Sequence, residues 1–180
     1  MQPMFGRKRH DDIEAQKAQF TSAVAAYDKQ LYWHIRRLLV VHEDAADVLQ
    51  NTYVNAWEHF EDLHDKSAIR SWLYRIATRE AHNHLRKITK HSAQDIDIET
   101  SAELQNRYQN ETLTGDKITK LLQKAILTLT ETQRVAFNLR YYDEMNYKEI
   151  AHVMNISEST AKVHYHNARQ RIEQFFEDYE

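Results

Sequence analysis

The sequence predicts an all-α fold of two small helical domains joined by a flexible acidic linker. Three observations carry that expectation. Pro3, Gly6 and Gly115 are the complete set of proline and glycine in 180 residues, and a sheet protein recruits those residues for its tight turns. Apolar residues recur at helical spacing along both ends of the chain. Between them, residues 92–116 read SAQDIDIETSAELQNRYQNETLTGD, which is polar, acidic and weakly periodic, as a linker is. A surface helix at 99–113 is the alternative there and is compatible with a linker.

The N-terminal domain, 12–91, divides into four helical stretches: Glu14–Tyr27, Lys29–Val40, Glu43–His59 and Ala68–Lys90. Ser67 is positioned to cap the fourth. On that helix Ile69, Trp72, Leu73, Ile76, Ala77, Leu85 and Ile88 form one apolar stripe. Arg75, Arg79, His82 and Arg86 fall at i, i+4, i+7 and i+11, a line of bases along another face.

Charge reverses sharply inside this domain. From Glu43 to Asp65 the acids Glu43, Asp44, Asp47, Glu58, Glu61, Asp62 and Asp65 meet no Lys or Arg, a net −7. From Lys66 to His91 the bases Lys66, Arg70, Arg75, Arg79, Arg86, Lys87 and Lys90 meet only Glu80, a net +6. The basic surface fits a polyanion, most simply a nucleic acid. The acidic one would repel DNA and suits a protein docking site. The whole chain carries −3, so DNA binding is expected to depend on a larger complex.

The C-terminal domain, 117–180, has the marks of a helix-turn-helix. Thr130 with Gln133, and Asn146 with Glu149, form capping boxes that open two helices. The turn Asn155-Ile156-Ser157 follows the second, and asparagine tolerates the positive φ that such a turn requires. Ala151 is small enough for two helices to cross closely. Ser157 then caps a long final helix with Ala161, Tyr165, Ala168, Ile172 and Phe175 or Phe176 on its apolar face. Ser159, Lys162, Val163, His166, Asn167 and Gln170 line the other, where they can meet base edges in a major groove.

These residues carry a resemblance. DVLQNTYVNAWEHFEDLHDKSAIRSWLYRIATREAHNHLRK resembles region 2 of bacterial RNA polymerase sigma factors, and LTLTETQRVAFNLRYYDEMNYKEIAHVMNISESTAKVHYHNARQRIEQFF resembles region 4. With only these two regions, the layout is similar to that of the extracytoplasmic-function (ECF) group. The resemblance implies a transcription initiation factor that directs core RNA polymerase to −10 and −35 promoter elements. It places Asp47, Gln50 and Asn51 against the β′ clamp helices, although the family more often has an acid at the Asn51 position. The β flap is the implied second contact. The loop Asp62, Leu63, His64, Asp65, Lys66 and Ser67 is similar to the one that captures a flipped −10 base, with Arg75, Arg79, His82 and Arg86 holding melted DNA. Ser159, Thr160, Lys162, Val163, His166, Asn167 and Arg169 correspond to the −35 reader. The family often has Ser at the Val163 position and Arg at the Asn167 position. Since Arg prefers guanine and Asn adenine, a different −35 sequence is implied. Sigma factors of this group are typically held inactive by an anti-sigma protein.

The main alternative is a LuxR-like regulator with a similar helix-turn-helix, but residues 12–91 lack the strand–helix alternation of a receiver domain. An enzyme is not expected. Glu61-x-x-His64 and Glu149-x-x-His152 match a di-iron spacing, yet so many Glu and His residues generate such pairs by chance. Without cysteine there are no disulfides or thiolate metal sites, and no cofactor, metal or small-molecule substrate is implied. No run of about 18 apolar residues is present, and the start MQPMFGRKRHDD lacks the apolar core of a secretory signal, so a cytoplasmic location is expected. Limited proteolysis should cut the free protein first between Ser92 and Gly115. Strong protection of that stretch would exclude it as a linker.

Overall fold

The computed structural model describes residues 4–39, 42–92 and 117–179, and among them it is all-helical. Seven α-helices are present among the described residues: α1 (Met4–Leu39), α2 (His42–Glu58), α3 (Ile69–Ser92), α4 (Lys117–Leu127), α5 (Glu131–Tyr141), α6 (Tyr147–Met154) and α7 (Glu158–Glu177). Short 3₁₀ turns at Phe60–Asp62 and Lys66–Ala68 lie between α2 and α3. The linker 92–116, and the alternative helix at 99–113, fall outside the described residues beyond Ser92.

Two local expectations are corrected. The first two expected helices are one, because α1 runs through Asp28 without a break. Aspartate costs a helix at most about 0.7 kcal/mol relative to alanine, and Asp28 is tied to α2 by a 2.7 Å hydrogen bond donated by the Tyr53 hydroxyl. The cap before α3 is Asp65 rather than Ser67. Its carboxylate accepts from the Ser67 backbone N–H at 2.9 Å and the Ser67 hydroxyl at 2.7 Å. A carboxylate two residues upstream can satisfy both donors at once, which a serine at the boundary cannot.

The helix-turn-helix forms as its caps imply. Thr130 and Gln133, and Asn146 and Glu149, close reciprocal capping boxes. Asn155 adopts the left-handed conformation, φ 55° and ψ 48°, and the Ile156 N–H reaches the Ala151 carbonyl at 3.0 Å. Ser157 accepts from the Thr160 N–H at 3.0 Å and opens α7. Ala161, Ala168 and Ile172 are buried on the face of α7 that the spacing selected.

The two halves share a core. α1, α2 and α3 pack on one another as a bundle, while α4, α5 and α6 pack against α7. In addition, α6 lies against α3 and α5 against α1. Leu31, Ile35, Leu73, Tyr74 and Ala77 of the first half are therefore in one apolar cluster with Val135, Leu139, Met145, Ile150 and Val153 of the second. Burial of side chains such as Met145, Ile150 and Val153 contributes about 1.5–3 kcal/mol each relative to exposure. A smaller cluster of Ala125, Ile126, Leu129, Phe137, Ala168 and Ile172 stabilises the second half internally.

Candidate nucleic-acid interface

On α2 the buried side is Ala45, Val48, Leu49, Thr52 and Ala56, which leaves Asp47, Gln50 and Asn51 exposed together on the other. The same helical row continues into Val54 and Trp57, which are 59% and 39% exposed. Sequence reasoning missed these two. The signal was available, since they continue the polar row at i+3 and i+4 spacing and fall outside the apolar stripe. Trp57 is held edge-on to Phe20 of α1, with ring centroids 5.2 Å apart.

The loop between α2 and α3 hangs from two buried anchors, Phe60 and Leu63. Phe60 packs edge-on against Phe20 at 5.2 Å. The Lys66 ammonium sits 3.9 Å from the Phe60 ring centroid and donates to the Phe60 carbonyl at 3.4 Å. Asp62, His64, Asp65, Lys66 and Ser67 are left exposed between these anchors, whereas Leu63 turns inward. The Ser67 hydroxyl, then its backbone N–H, hold the Asp65 carboxyl below its ordinary value. Asp65 is thus a fixed negative charge at the loop tip.

On α3, Arg75, Arg79 and Arg86 are exposed and His82 is half-buried. Arg79 donates to the Asn55 side chain at 3.2 Å, and Arg86 to the Asn83 side chain at 2.6 Å. His82 faces Glu131 of α5, with Nε2 3.2 Å from the carboxylate. Burial pushes the His82 imidazole below its usual value, and Glu131 pulls the other way. The expected apolar stripe is buried or half-buried, but Tyr74, Thr78 and Ala81 are buried too. They form a further face, covered because α6 and α1 pack there.

On α7, Ser159, Lys162, Val163, His166, Asn167 and Arg169 are exposed, while Thr160 is half-buried in the Ser157 cap. Lys162 pairs with Glu158 at 3.2 Å, and Arg169 with Glu173 at 2.8 Å. The α3 bases and this helix border the same space. A cleft of about 1060 Å³ is lined by Arg75, Arg79, His82 and Arg86 on one wall and by Asn155 and His164 on the other. Neither di-iron spacing gathers a metal cluster among the described residues. The Glu149 carboxylate is occupied by the Asn146 backbone N–H, which donates to it at 2.9 Å, and by Arg70, 3.5 Å away.

One further polar cluster was not foreseen. Asp143, in the turn between α5 and α6, buries its carboxylate against the first half of the chain. The His34 Nδ1 lies 3.0 Å from Oδ2, the Arg37 guanidinium donates to Oδ1 at 2.7 Å, and the Tyr74 hydroxyl donates to Oδ1 at 3.2 Å. Arg70 donates to the Asp143 backbone carbonyl. A carboxylate only accepts, so His34 carries its proton on Nδ1. Its Nε2 is then paired with the Thr78 hydroxyl at 2.9 Å. The signals for this cluster were a histidine inside the apolar row Leu31, Ile35 and Leu38, and an acid two residues before the buried Met145.

Burial alone would raise the Asp143 carboxyl. Hydrogen bonding from His34 and the charges of His34 and Arg37 outweigh it, and the net displacement is downward. A carboxyl lowered on folding contributes stability above its unfolded value, here 3.8, and loses it as pH falls through the folded value. The Tm gap between the native chain and Asp143→Asn should therefore be full near neutrality and close on acidification below about pH 4. A gap that stays constant over that range would show that the carboxylate charge does not contribute.

Family models and curated relatives agree on one family, and solved structures share its fold. Residues 23–91 match Sigma-70 region 2, and residues 119–172 match Sigma-70, region 4. ECF RNA polymerase sigma factor SigM of Bacillus subtilis is 33% identical over 132 residues, covering 73% of this chain and 79% of that protein. The ECF RNA polymerase sigma-E factor of Haemophilus influenzae is 27% identical over 169 residues, covering 89% and 88%. Among solved structures, the sigma factor RpoE of Bartonella quintana, crystallised with the anti-sigma factor NepR, has a TM-score of 0.70 at 20% identity. It covers 88% of this chain and 96% of its own, and the likeness shows a shared fold.

Proposed function

This chain belongs to the ECF RNA polymerase sigma factors, and we propose that its acidic and basic faces divide the work of promoter selection. As a sigma factor it binds core RNA polymerase and directs it to promoters as a transcription initiation factor. The LuxR-like alternative is not favoured, because region 2 occupies the place where a sensing domain would stand.

In this reading residues 12–91 form the polymerase-docking and −10 unit, 92–116 the linker and 117–180 the −35 unit. The α2 row of Asp47, Gln50 and Asn51, extended by Val54 and Trp57, docks on the β′ clamp helices. The second unit engages the β flap. Phe60 and Leu63 hold the loop so that Asp62, His64, Asp65, Lys66 and Ser67 receive a flipped base. Unstacking a base costs a few kcal/mol, and Arg75, Arg79, His82 and Arg86 offset this by gripping the melted backbone. Ser159, Thr160, Lys162, Val163, His166, Asn167 and Arg169 read the −35 duplex. The factor works in the cytoplasm, where its template is, without catalysing a reaction itself. An anti-sigma protein is its natural antagonist, by analogy with the complex of RpoE with NepR. The observation that supports this reading best is the −7 segment beside the +6 segment, their Asp47–Asn51 and Arg75–Arg86 side chains exposed on separate helices of one bundle.

Reconstitution tests it. The isolated chain should bind duplex DNA only near the non-specific range of roughly 10⁻⁴–10⁻⁶ M at physiological salt. Addition of core polymerase should yield promoter-specific transcript starts. Tight sequence-specific binding by the free chain would instead support the LuxR-like reading.

On a randomised promoter library, Arg79→Ala should weaken open-complex formation at all promoters, with an effect that shrinks as salt rises. Asn167→Arg should shift −35 preference alone, each mismatched pair being worth about 1–3 kcal/mol. A change in −10 preference from Asn167→Arg would remove α7 as the upstream reader.

A further inference from the structure

We propose that Asn55 is a positioning residue for Arg79: its side-chain amide keeps that guanidinium presented to melted DNA and apart from Glu80. The inference rests on the reading that Arg79 grips the −10 strands, and it adds the residue that leaves Arg79 free to do so.

Asn55 lies on α2, half-buried on the side that meets α3. Both polar atoms of its amide are used across that contact. Its Nδ2 donates to Oε1 of Glu80 at 3.2 Å, and its Oδ1 accepts from the Arg79 guanidinium at 3.2 Å. A carboxylate only accepts and a guanidinium only donates, so one orientation of the amide satisfies both. An aspartate at this position would bond Arg79 and repel Glu80. A lysine would do the reverse. A neutral amide serves both neighbours at once.

Arg79 and Glu80 are adjacent in sequence, and Glu80 is the one acid of segment 66–91. The Arg79 Nε lies 3.8 Å from Oε1 of Glu80, beyond the usual hydrogen-bond range of about 2.7–3.2 Å. Asn55 donates to that same oxygen. It thereby takes the acceptor nearest to Arg79 and offers a neutral oxygen in exchange. The Arg79 side chain stays 60% exposed. A guanidinium carries five N–H donors, so one bond to Asn55 leaves others for phosphate oxygens.

Partner chemistry sets this row apart. Arg86 is likewise held by a neutral amide oxygen, that of Asn83, at 2.6 Å. Arg37 and Arg70, which join helices inside the protein, meet the carboxylates of Asp143 and Glu149 instead. A guanidinium paired with a carboxylate has its charge offset before DNA arrives. One tethered to an amide is held in place with its charge intact.

Holoenzymes reconstituted with the native chain, Asn55→Ala, Glu80→Gln, the double variant and Arg79→Ala test this, with promoter binding measured against salt. Alanine is a better helix former than asparagine, so α2 should persist, as helical circular dichroism can check. Arg79→Ala should reduce the slope of log K against log[salt] by about 0.7, the loss of one contact to single-stranded phosphate. Asn55→Ala should move the slope toward the same value and weaken binding about twofold to tenfold at low salt. Glu80→Gln should recover most of that loss in the Asn55→Ala chain and change the native chain little, as coupled groups do. A slope unmoved by Asn55→Ala, or equal gains from Glu80→Gln in both backgrounds, would overturn the role. A merely structural Asn55 would change Tm and leave the slope alone.

A crystal structure of the free Asn55→Ala chain gives a readout that does not involve DNA. Arg79 should close on Glu80 from 3.8 Å to about 2.8 Å, the length of a charge-assisted bond. A pair that stays open would overturn the spacer. If Arg79→Ala leaves the salt slope unchanged, the DNA role of Arg79 fails, and the Arg79–Glu80 distance still reports on Asn55.

Discussion

A carboxylate placed where its own half of the chain offers no side-chain partner constrains much of this structure. Asp143 is removed from water, and burying an unpaired charge costs several kcal/mol or more. It persists because α1 and α3 supply a histidine, an arginine and a tyrosine around it. Each donor is in turn fixed. His34 is held through its second nitrogen by Thr78, and Tyr74 is held by full burial beside Leu73 and Ala77. The position of region 4 on region 2 is therefore set by directional hydrogen bonds as well as by apolar area. Apolar contact alone would tolerate sliding. A three-donor carboxylate site does not, and this is how a polar group in a core specifies one arrangement among several.

The same packing explains the uneven burial of α3. A helix with one apolar stripe and one basic row would ordinarily leave half its surface in water. Here Leu73, Tyr74, Ile76, Ala77, Thr78 and Ala81 are all buried, and Arg75, Arg79 and Arg86 emerge through the gap that remains. The basic row is thereby rigidly backed, and in its proposed role little backbone freedom would be left to lose on meeting a phosphate backbone. The loop before α3 is prepared in the same manner. Phe60 and Leu63 are anchored, and the polar residues between and after them stay in water.

Function then divides by charge and by element. The acidic residues of α2 and the basic residues of α3 emerge on separate helices of one bundle, which suits the proposed division between a protein partner and nucleic acid. The proposed −35 reader, α7, belongs to the other half of the chain. A sigma factor with net charge −3 has weak attraction for DNA in general, and coupling DNA contact to polymerase docking keeps it off random sites.

Much of this was legible from residue types at known spacing. The capping boxes at Thr130 and Asn146, the left-handed Asn155, the Ser157 cap and the apolar face of α7 are local, and local chemistry decides them. The charge reversal at Lys66 is visible in the one-dimensional order. The break expected at Asp28 does not occur because a tertiary partner, Tyr53, holds that residue inside a continuous α1. Val54 and Trp57 continue the polar row of α2 at helical spacing, so their exposure was legible although apolar side chains obscured it. Tyr74, Thr78 and Ala81 lie between the two faces that periodicity distinguishes, and nothing in α3 itself says that a second half will cover them. His34 and Asp143 are 109 residues apart. The sequence by itself determined the helices, their caps and the faces that carry charge, because those depend on neighbours within a turn or two. Tertiary structure decided that the two halves close on each other, because that depends on a carboxylate and its donors meeting across the whole length of the chain.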